Sequence, residues 1–94
     1  MKQLWVDDRR PRPDDAWDRV EDYDGFVAYI ETFGVPDLIS FDYDLGPGRN
    51  GGDCIYWLIQ KGYKAKRCTC HSTHPKGRKE VVELLQKWRD SCER

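Results

Sequence analysis

The sequence predicts an α/β fold with three layers, in which helices cover a mostly parallel sheet of about four strands. Three observations support this fold class. Short apolar runs, typical of buried strands, alternate with stretches in which apolar residues recur every three or four positions, as in amphipathic helices. Acidic residues directly follow two of the apolar runs. The length of 94 residues allows one compact domain, which we assign to residues 1–94.

The first predicted strand is the apolar run KQLWV at residues 2–6, which Asp7 and Asp8 close. The two prolines within residues 9–16 restrict the backbone to extended geometry there, so we predict a loop. Apolar and polar residues alternate from residue 17 to residue 23, a pattern that favours a half-exposed edge strand.

The first predicted helix begins at Asp24 and ends before Gly34 and Pro36. Its apolar stripe consists of Phe26, Val27, Ile30 and Phe33. The next run, DLISF at residues 37–41, is nearly all apolar and is typical of a central parallel strand.

A glycine-rich turn at residues 45–52 precedes the second helical stripe, which runs to Gly62. Residues 66–72 predict another short strand, and a third helix follows over residues 77–90. We expect the glycine-rich turn to be a plain turn, because it lacks the Lys-Ser/Thr ending of a phosphate-binding P-loop. Trp57 and Trp88 are expected in the core.

The charge balance argues against binding to long nucleic acids or to membranes. Sixteen Lys and Arg residues nearly cancel seventeen Asp and Glu residues, giving a net charge of −1. No apolar stretch has the length of a membrane span, and the N-terminal residues do not resemble a signal peptide. We therefore expect a cytoplasmic protein with reduced cysteines. For Cys68 and Cys70, a zinc site competes with small core residues on a buried strand, and the spacing favours the core.

Six side chains with functional chemistry lie at the carboxyl ends of predicted strands. In parallel sheets the carboxyl ends of the strands lie at one edge, where ligands bind. We therefore expect three distant segments to meet there. The six residues are Asp7, Asp8, Asp42, Asp44, His71 and Ser72.

Crowded carboxylates repel one another unless a cation neutralises them, and oxygen ligands suit Mg²⁺ or Mn²⁺. We predict Asp7, Asp8 and Asp42 as metal ligands, with Asp42 and Asp44 on the same side of the chain, so that one could ligate while the other positions water. Alternatively, Asp8 or Asp44 caps a turn.

His71 has a side chain that could transfer a proton or contact a phosphate, although a buried, fully hydrogen-bonded histidine is the competing interpretation. His74 is expected at the N-cap of the third helix. The start of that helix could bind phosphate through free N–H groups, with Ser72 and with three further residues. These are Lys76, Gly77 and Arg78. An ordinary helix start with solvated basic residues is the alternative.

Two family resemblances follow from these motifs. VDD at residues 6–8, DLISFD at residues 37–42 and PGRNGGDCIYWL at residues 47–58 resemble response-regulator receiver domains, which would make Asp42 a phosphoacceptor. The receivers' later strand with its lysine has no counterpart here. The chain more closely resembles cyclic-phosphate-processing receiver-like domains over nearly its whole length, through LWVDDRRPRP, SFDYDLG and HSTHPKGR.

This second resemblance implies a reduced receiver-like, flavodoxin-like fold and a metal-dependent phosphoesterase. Eight residues match the family's motifs, and they are Asp7, Asp8, Arg10, Asp42, Asp44, His71, Ser72 and Gly77. Arg9, Tyr43 and His74 replace the family's usual glutamate, histidine and asparagine.

The leading hypothesis is a hydrolase for a small cyclic phosphate or nucleotide-derived phosphodiester, with Mg²⁺ or Mn²⁺ as cofactor. Asp42, Asp44 and His71 would be catalytic, and Arg10, Ser72, Lys76, Gly77 and Arg78 would bind the phosphate. The alternative is a non-catalytic receiver-like module that binds a phosphorylated ligand or a protein partner. The sequence leaves the oligomeric state open.

Overall fold

The computed structural model describes residues 2–92, which form a four-stranded, all-parallel sheet and three helices. The strands are β1 (Gln3–Val6), β2 (Trp17–Val20), β3 (Leu38–Phe41) and β4 (Arg67–Cys70), in the spatial order β2-β1-β3-β4. The helices are α1 (Tyr23–Phe33), α2 (Gly51–Lys61) and α3 (Pro75–Cys92). This architecture confirms the predicted receiver-like α/β class and the predicted number of strands.

The helix boundaries follow from local capping signals. The side chain of Asp22 accepts a hydrogen bond from the N–H of Gly25 at the start of α1. Asn50 and Asp53 form a reciprocal capping box at the start of α2. Gly34 and Gly62, both with positive φ, end α1 and α2. The predicted ends of these two helices are therefore confirmed.

The hydrophobic core lies between the three helices and one face of the sheet. Leu4, Val6, Ile39 and Phe41 point to that face and have no exposed surface. The ring of Phe26 in α1 packs on Phe41 and Trp57, and α2 in turn packs beside α3. Trp57 and Trp88 are buried in this core, as predicted.

The opposite face of the sheet is covered by a loop in place of a helix. Residues 7–16 connect β1 to β2 without regular structure, as the two prolines predict. The indole N–H of Trp5 on this face donates to the backbone oxygen of Arg10, and the Arg12 guanidinium donates to that of Trp17. The third layer is thus an irregular segment, which places Arg10 beside the sheet.

Three local details differ from the predictions. Phe33 belongs to the predicted apolar stripe of α1, but it lies in the last turn of the helix and is 59% exposed. Nζ of Lys2 lies 4.1 Å from the centroid of its ring. The edge strand predicted at residues 17–23 ends at Val20, since Asp22 already caps α1. β4 is an edge strand with exposed Arg67 and solvent on one side. No helix within residues 2–92 combines the length and the hydropathy needed to cross a membrane.

Candidate functional site

The carboxyl ends of β1, β3 and β4 bring three polar side chains together. Val6, Phe41 and Cys70 are the last residues of these strands, and they lie in register across the sheet. The next residues along the chain are Asp7, Asp42 and His71, and each offers one potential ligand atom within 4.8 Å of the other two. The expected meeting of three distant segments is therefore present at this edge.

Asp7 is fully buried, and each of its oxygens accepts a hydrogen bond. Oδ1 accepts from the backbone N–H groups of Arg9 at 2.8 Å and Arg10 at 2.9 Å, while Oδ2 lies 2.9 Å from Nε2 of His71. Burial alone would raise the pKa of Asp7, but these hydrogen bonds together hold it below its usual value. Asp7 is therefore ionised at neutral pH.

His71 is held on three sides by the protein. Its Nδ1 lies 2.7 Å from the hydroxyl oxygen of Ser40, and its ring stacks on Trp5 at a centroid distance of 3.7 Å. Burial lowers the pKa of His71 more than the hydrogen bond and the charge of Asp7 raise it, so the ring is neutral at pH 7. The neutral ring can then accept from Ser40 and donate to Asp7, which uses both of its nitrogens.

Asp42 is the second carboxylate of the group. Burial, and then the negative charge of Asp7, raise the pKa of Asp42, although hydrogen bonds from the Ser72 side chain and the Tyr43 N–H oppose the shift. Two carboxylates that repel each other in this way are suited to a divalent cation, because the cation would remove the repulsion. The carboxylate oxygens of Asp7 and Asp42 are the ligand type that Mg²⁺ and Mn²⁺ prefer.

A cavity opens above this group and is lined by both acidic and basic residues. Asp8 and Asp44 line it, although they are outside the group of three residues with ligand atoms within 4.8 Å. One oxygen of Asp44 accepts the N–H of Gly46 at 2.9 Å, which is the turn-capping role that we considered as an alternative. The complete lining is Asp7, Asp8, Arg9, Arg10, Asp42, Tyr43, Asp44, Ser72, Thr73 and His74.

Arg10 connects the loop after β1 to the segment after β4. Its guanidinium donates to the backbone oxygen of His71 at 3.1 Å and to the hydroxyl of Thr73 at 3.3 Å. These bonds hold the planar group at the cavity, where a guanidinium suits a phosphate ligand. Ser72 also lines the cavity and is 5% exposed.

The other residues predicted to bind phosphate lie in the first turn of α3, outside the cavity lining. Lys76 is exposed to solvent. Arg78 donates to the backbone oxygen of Cys70 at 2.7 Å. Gly77 packs against Tyr43, and a Cβ built at Gly77 would lie 2.5 Å from atoms of the Tyr43 ring. The missing side chain at residue 77 therefore makes room for Tyr43.

His74 lies at the N-cap of α3, as expected, and it also lines the cavity. Its Nδ1 accepts the N–H of Gly77 at 3.0 Å, and its ring is nearly parallel to that of Tyr43. His74, Tyr43, Arg9 and Thr73 also line the cavity, although the sequence motifs did not predict them as site residues. The available signal was their position, since each lies within two residues of a predicted site residue.

The hydrogen-bond partner of His71 was also missed. Ser40 precedes Asp42 by two residues, and β alternation directs both side chains to the same face.

The glycine-rich turn contributes to a second concave region, away from Asp7 and Asp42, where Pro47, Gly48 and Arg49 meet the start of α1. Gly51 near the end of this turn allows α2 to begin against the backbone of Asp42.

The comparison with protein families agrees with this geometry. A family model described as the cyclic-phosphate processing receiver domain matches residues 2–87. No curated protein and no solved structure matches the chain. The family match spans the strand ends that carry Asp7, Asp42 and His71, together with most of α3. The chain therefore belongs to the family of cyclic-phosphate processing receiver domains.

Proposed function

We propose that this protein is a metal-dependent phosphoesterase that acts on a small cyclic phosphate or on a nucleotide-derived phosphodiester. The observation that carries the proposal is the placement of Asp7 and Asp42 beside a cavity that also contains arginine side chains. Carboxylates suit a cation, and guanidinium groups suit the phosphate that the cation would activate. The family's described role in cyclic-phosphate processing supports the same substrate class.

Asp7 and Asp42 are the residues that would hold Mg²⁺ or Mn²⁺, with Asp8 at the same cavity available to bind a coordinated water. Such a cation, when bound, polarises a phosphoryl oxygen and lowers the pKa of a water molecule. His71 then has a positioning role, because its hydrogen bond keeps Oδ2 of Asp7 in a defined orientation.

The phosphate side of the site consists of Arg10, Ser72 and Thr73. The Ser72 side chain lines the cavity and hydrogen-bonds to Asp42, and Arg10 is oriented by its bonds to the segment after β4. Lys76 adds positive charge nearby, while Gly77 and Arg78 support the site through Tyr43 and Cys70. Asp44, which lines the cavity from the exit of β3, could accept a proton from an attacking water.

The charge of the protein favours a small ligand. The net charge is −1, and the cavity combines acidic and basic side chains. A long nucleic acid would require a continuous basic surface. A single phosphodiester or cyclic phosphate needs only the local arginines and a cation.

A non-catalytic module that binds a phosphorylated ligand is the second candidate. One observation favours it: both ring nitrogens of His71 are engaged by Ser40 and Asp7, so this imidazole is not positioned to exchange a proton with a ligand in the cavity. In that case the site would hold a cation and a phosphate without turnover.

The test is hydrolysis of a panel of 2′,3′-cyclic nucleotides and of cyclic di- and trinucleotides in Mg²⁺ or Mn²⁺. We expect cleavage by the wild type, loss of cleavage in Asp42→Asn, and wild-type cleavage in Asp90→Asn, which removes an exposed carboxylate of α3 outside the site. Tight binding with unchanged ligand recovered afterwards would favour the binding module. No cleavage and no binding across the panel would refute both candidates.

A further inference from the structure

The cavity contains one imidazole whose hydrogen-bonding capacity is only half used, and it belongs to His74. The chain has two histidines. His71 is half-buried and bonded through both ring nitrogens, whereas His74 is exposed and lines the cavity. Within residues 2–92, His74 has a hydrogen-bond partner at Nδ1, the N–H of Gly77, and none at Nε2.

The bond to Gly77 determines which nitrogen of the neutral ring carries the hydrogen. The Gly77 N–H donates to Nδ1 at 3.0 Å, so Nδ1 acts as the acceptor and holds no hydrogen in this arrangement. The hydrogen of the neutral ring is therefore on Nε2. The N-cap interaction of α3 thus prepares His74 as a hydrogen-bond donor.

Tyr43 limits the freedom of this imidazole. The centroids of the two rings are 6.2 Å apart with an angle of 18° between their planes, and Tyr43 itself packs against Gly77. Tyr43 also lines the cavity. The three residues form one packed unit, in which Gly77 both fixes Nδ1 of His74 and leaves space for Tyr43. A donor that is held in one orientation before a ligand binds costs less entropy on binding.

We propose that His74 is the imidazole that contacts the phosphate ligand, donating through its Nε2–H to a phosphate oxygen, while His71 acts only on Asp7. This inference rests on the proposed function for the location of the ligand. The Nε2–H of His74 would add a hydrogen-bond donor to a cavity that also contains carboxylate acceptors. Ser72 and Thr73, which precede His74 in the chain, line the same cavity.

The probe for the test is inorganic phosphate in the presence of Mg²⁺, because it requires no turnover. Nitrogen-15 NMR of the two imidazoles would report the tautomers and the effect of phosphate. We expect both rings to carry hydrogen on Nε2, and we expect phosphate to shift the Nε2 resonance of His74 while leaving Nδ1 of His74 and both nitrogens of His71 nearly unchanged. A shift confined to His71 would overturn the proposal.

The matched variant is His74→Thr, since threonine keeps a side-chain oxygen for the helix N-cap but is too short to place a donor in the cavity. We expect wild-type thermal stability and a loss of phosphate affinity of about 10- to 150-fold, the range for a hydrogen bond to a charged group. Val82→Thr, at an exposed position of α3 outside the cavity lining, is the control and should bind phosphate as the wild type does.

These results separate the inference from the proposed function. Phosphate affinity that is unchanged in His74→Thr, or absent in the wild type, would overturn the role of His74. If the wild type cleaves cyclic phosphates but His74→Thr binds phosphate and cleaves equally well, the inference fails and the phosphoesterase stands. If His74 contacts phosphate but no cyclic phosphate is cleaved, the inference stands and the phosphoesterase fails.

Discussion

Nε2 of His71 lies 2.9 Å from Oδ2 of Asp7, and the same imidazole lies 2.7 Å from the hydroxyl of Ser40 through Nδ1. Because the ring is neutral, it acts as a donor toward the carboxylate, and Ser40 selects the tautomer that makes this possible. Metal-binding carboxylates are commonly oriented by hydrogen bonds of this kind. We therefore expect His71 to orient Asp7 for the proposed cation.

Replacing His71 with Phe tests this relationship. Phenylalanine can keep the stacking on Trp5 but removes both hydrogen bonds of the ring. We expect the affinity for Mn²⁺, measured by calorimetry, to fall about 10- to 100-fold, and the free energy of unfolding to fall by about 1–3 kcal/mol, because Ser40 and Asp7 lose their partner. Val82→Thr, outside the cavity lining, is the control and should keep the wild-type Mn²⁺ affinity. An affinity within about twofold of the wild type in His71→Phe would show that His71 does not support the carboxylate.

Replacing Asp42 with Asn tests the repulsion between the carboxylates through pH. The pKa of Asp42 is raised in the folded state, so the protonated form contributes stability that is present below the unfolded pKa and is lost as the pH rises through the folded pKa. The ionised Asp42 is therefore unfavourable at neutral pH without metal. We expect Asp42→Asn to be more stable than the wild type by about 0.5–1 kcal/mol at pH 7–8.

The measurement is the melting temperature in a chelator between about pH 3 and pH 8. The difference between Asp42→Asn and the wild type should be small below about pH 4 and should grow with pH to about 3–6 °C. Asp7 is ionised in both proteins at neutral pH, and its lowered pKa destabilises both on acidification, so it contributes little to the difference. Mn²⁺ should stabilise the wild type alone. A variant less stable than the wild type at pH 8 would contradict the repulsion.

The position of the site could be predicted from the sequence, because apolar runs followed by acids locate strand ends, and parallel strands share their carboxyl edge. The predicted strand ends correctly placed Asp7, Asp42 and His71 close to one another. Strand assignment needs only local patterns, so the sheet of four strands was predictable as well. The loop that forms the third layer was also indicated by its two prolines.

The roles of the two histidines could not be predicted in the same way. The environment of His71 depends on Ser40 and Trp5, which are neighbours only through the pairing of β1 with β3. The sequence pattern does not determine the register in which β1 pairs with β3. Likewise, the need for Gly77 arises from Tyr43, which is 34 residues away in the chain. Side-chain orientation at the site is therefore a product of tertiary packing.

Gly77→Ala tests the packing of α3 against the loop after β3. Alanine favours a helix over glycine by about 1 kcal/mol, but a Cβ at residue 77 would lie 2.5 Å from the Tyr43 ring. We expect the clash to dominate, with a net loss of about 1–3 kcal/mol in urea denaturation. In a Tyr43→Ala background the sign should reverse, and the same substitution should stabilise the protein by up to about 1 kcal/mol. A loss of equal size in both backgrounds would exclude Tyr43 as the cause.

The four cysteines should differ strongly in reactivity. Burial raises the pKa of the Cys54 thiol to about 12 and that of the Cys68 thiol to about 12, so both remain protonated at pH 8. Cys70 is buried, while Cys92 is exposed at the end of α3. We expect iodoacetamide at pH 8 to alkylate Cys92 first, and Cys54 and Cys68 more than about 100-fold more slowly, as measured by peptide mass spectrometry over time. Cys92→Ser should remove the fast phase and leave the slow phase unchanged, whereas an equally fast reaction at Cys54 in the folded protein would contradict the burial of its thiol.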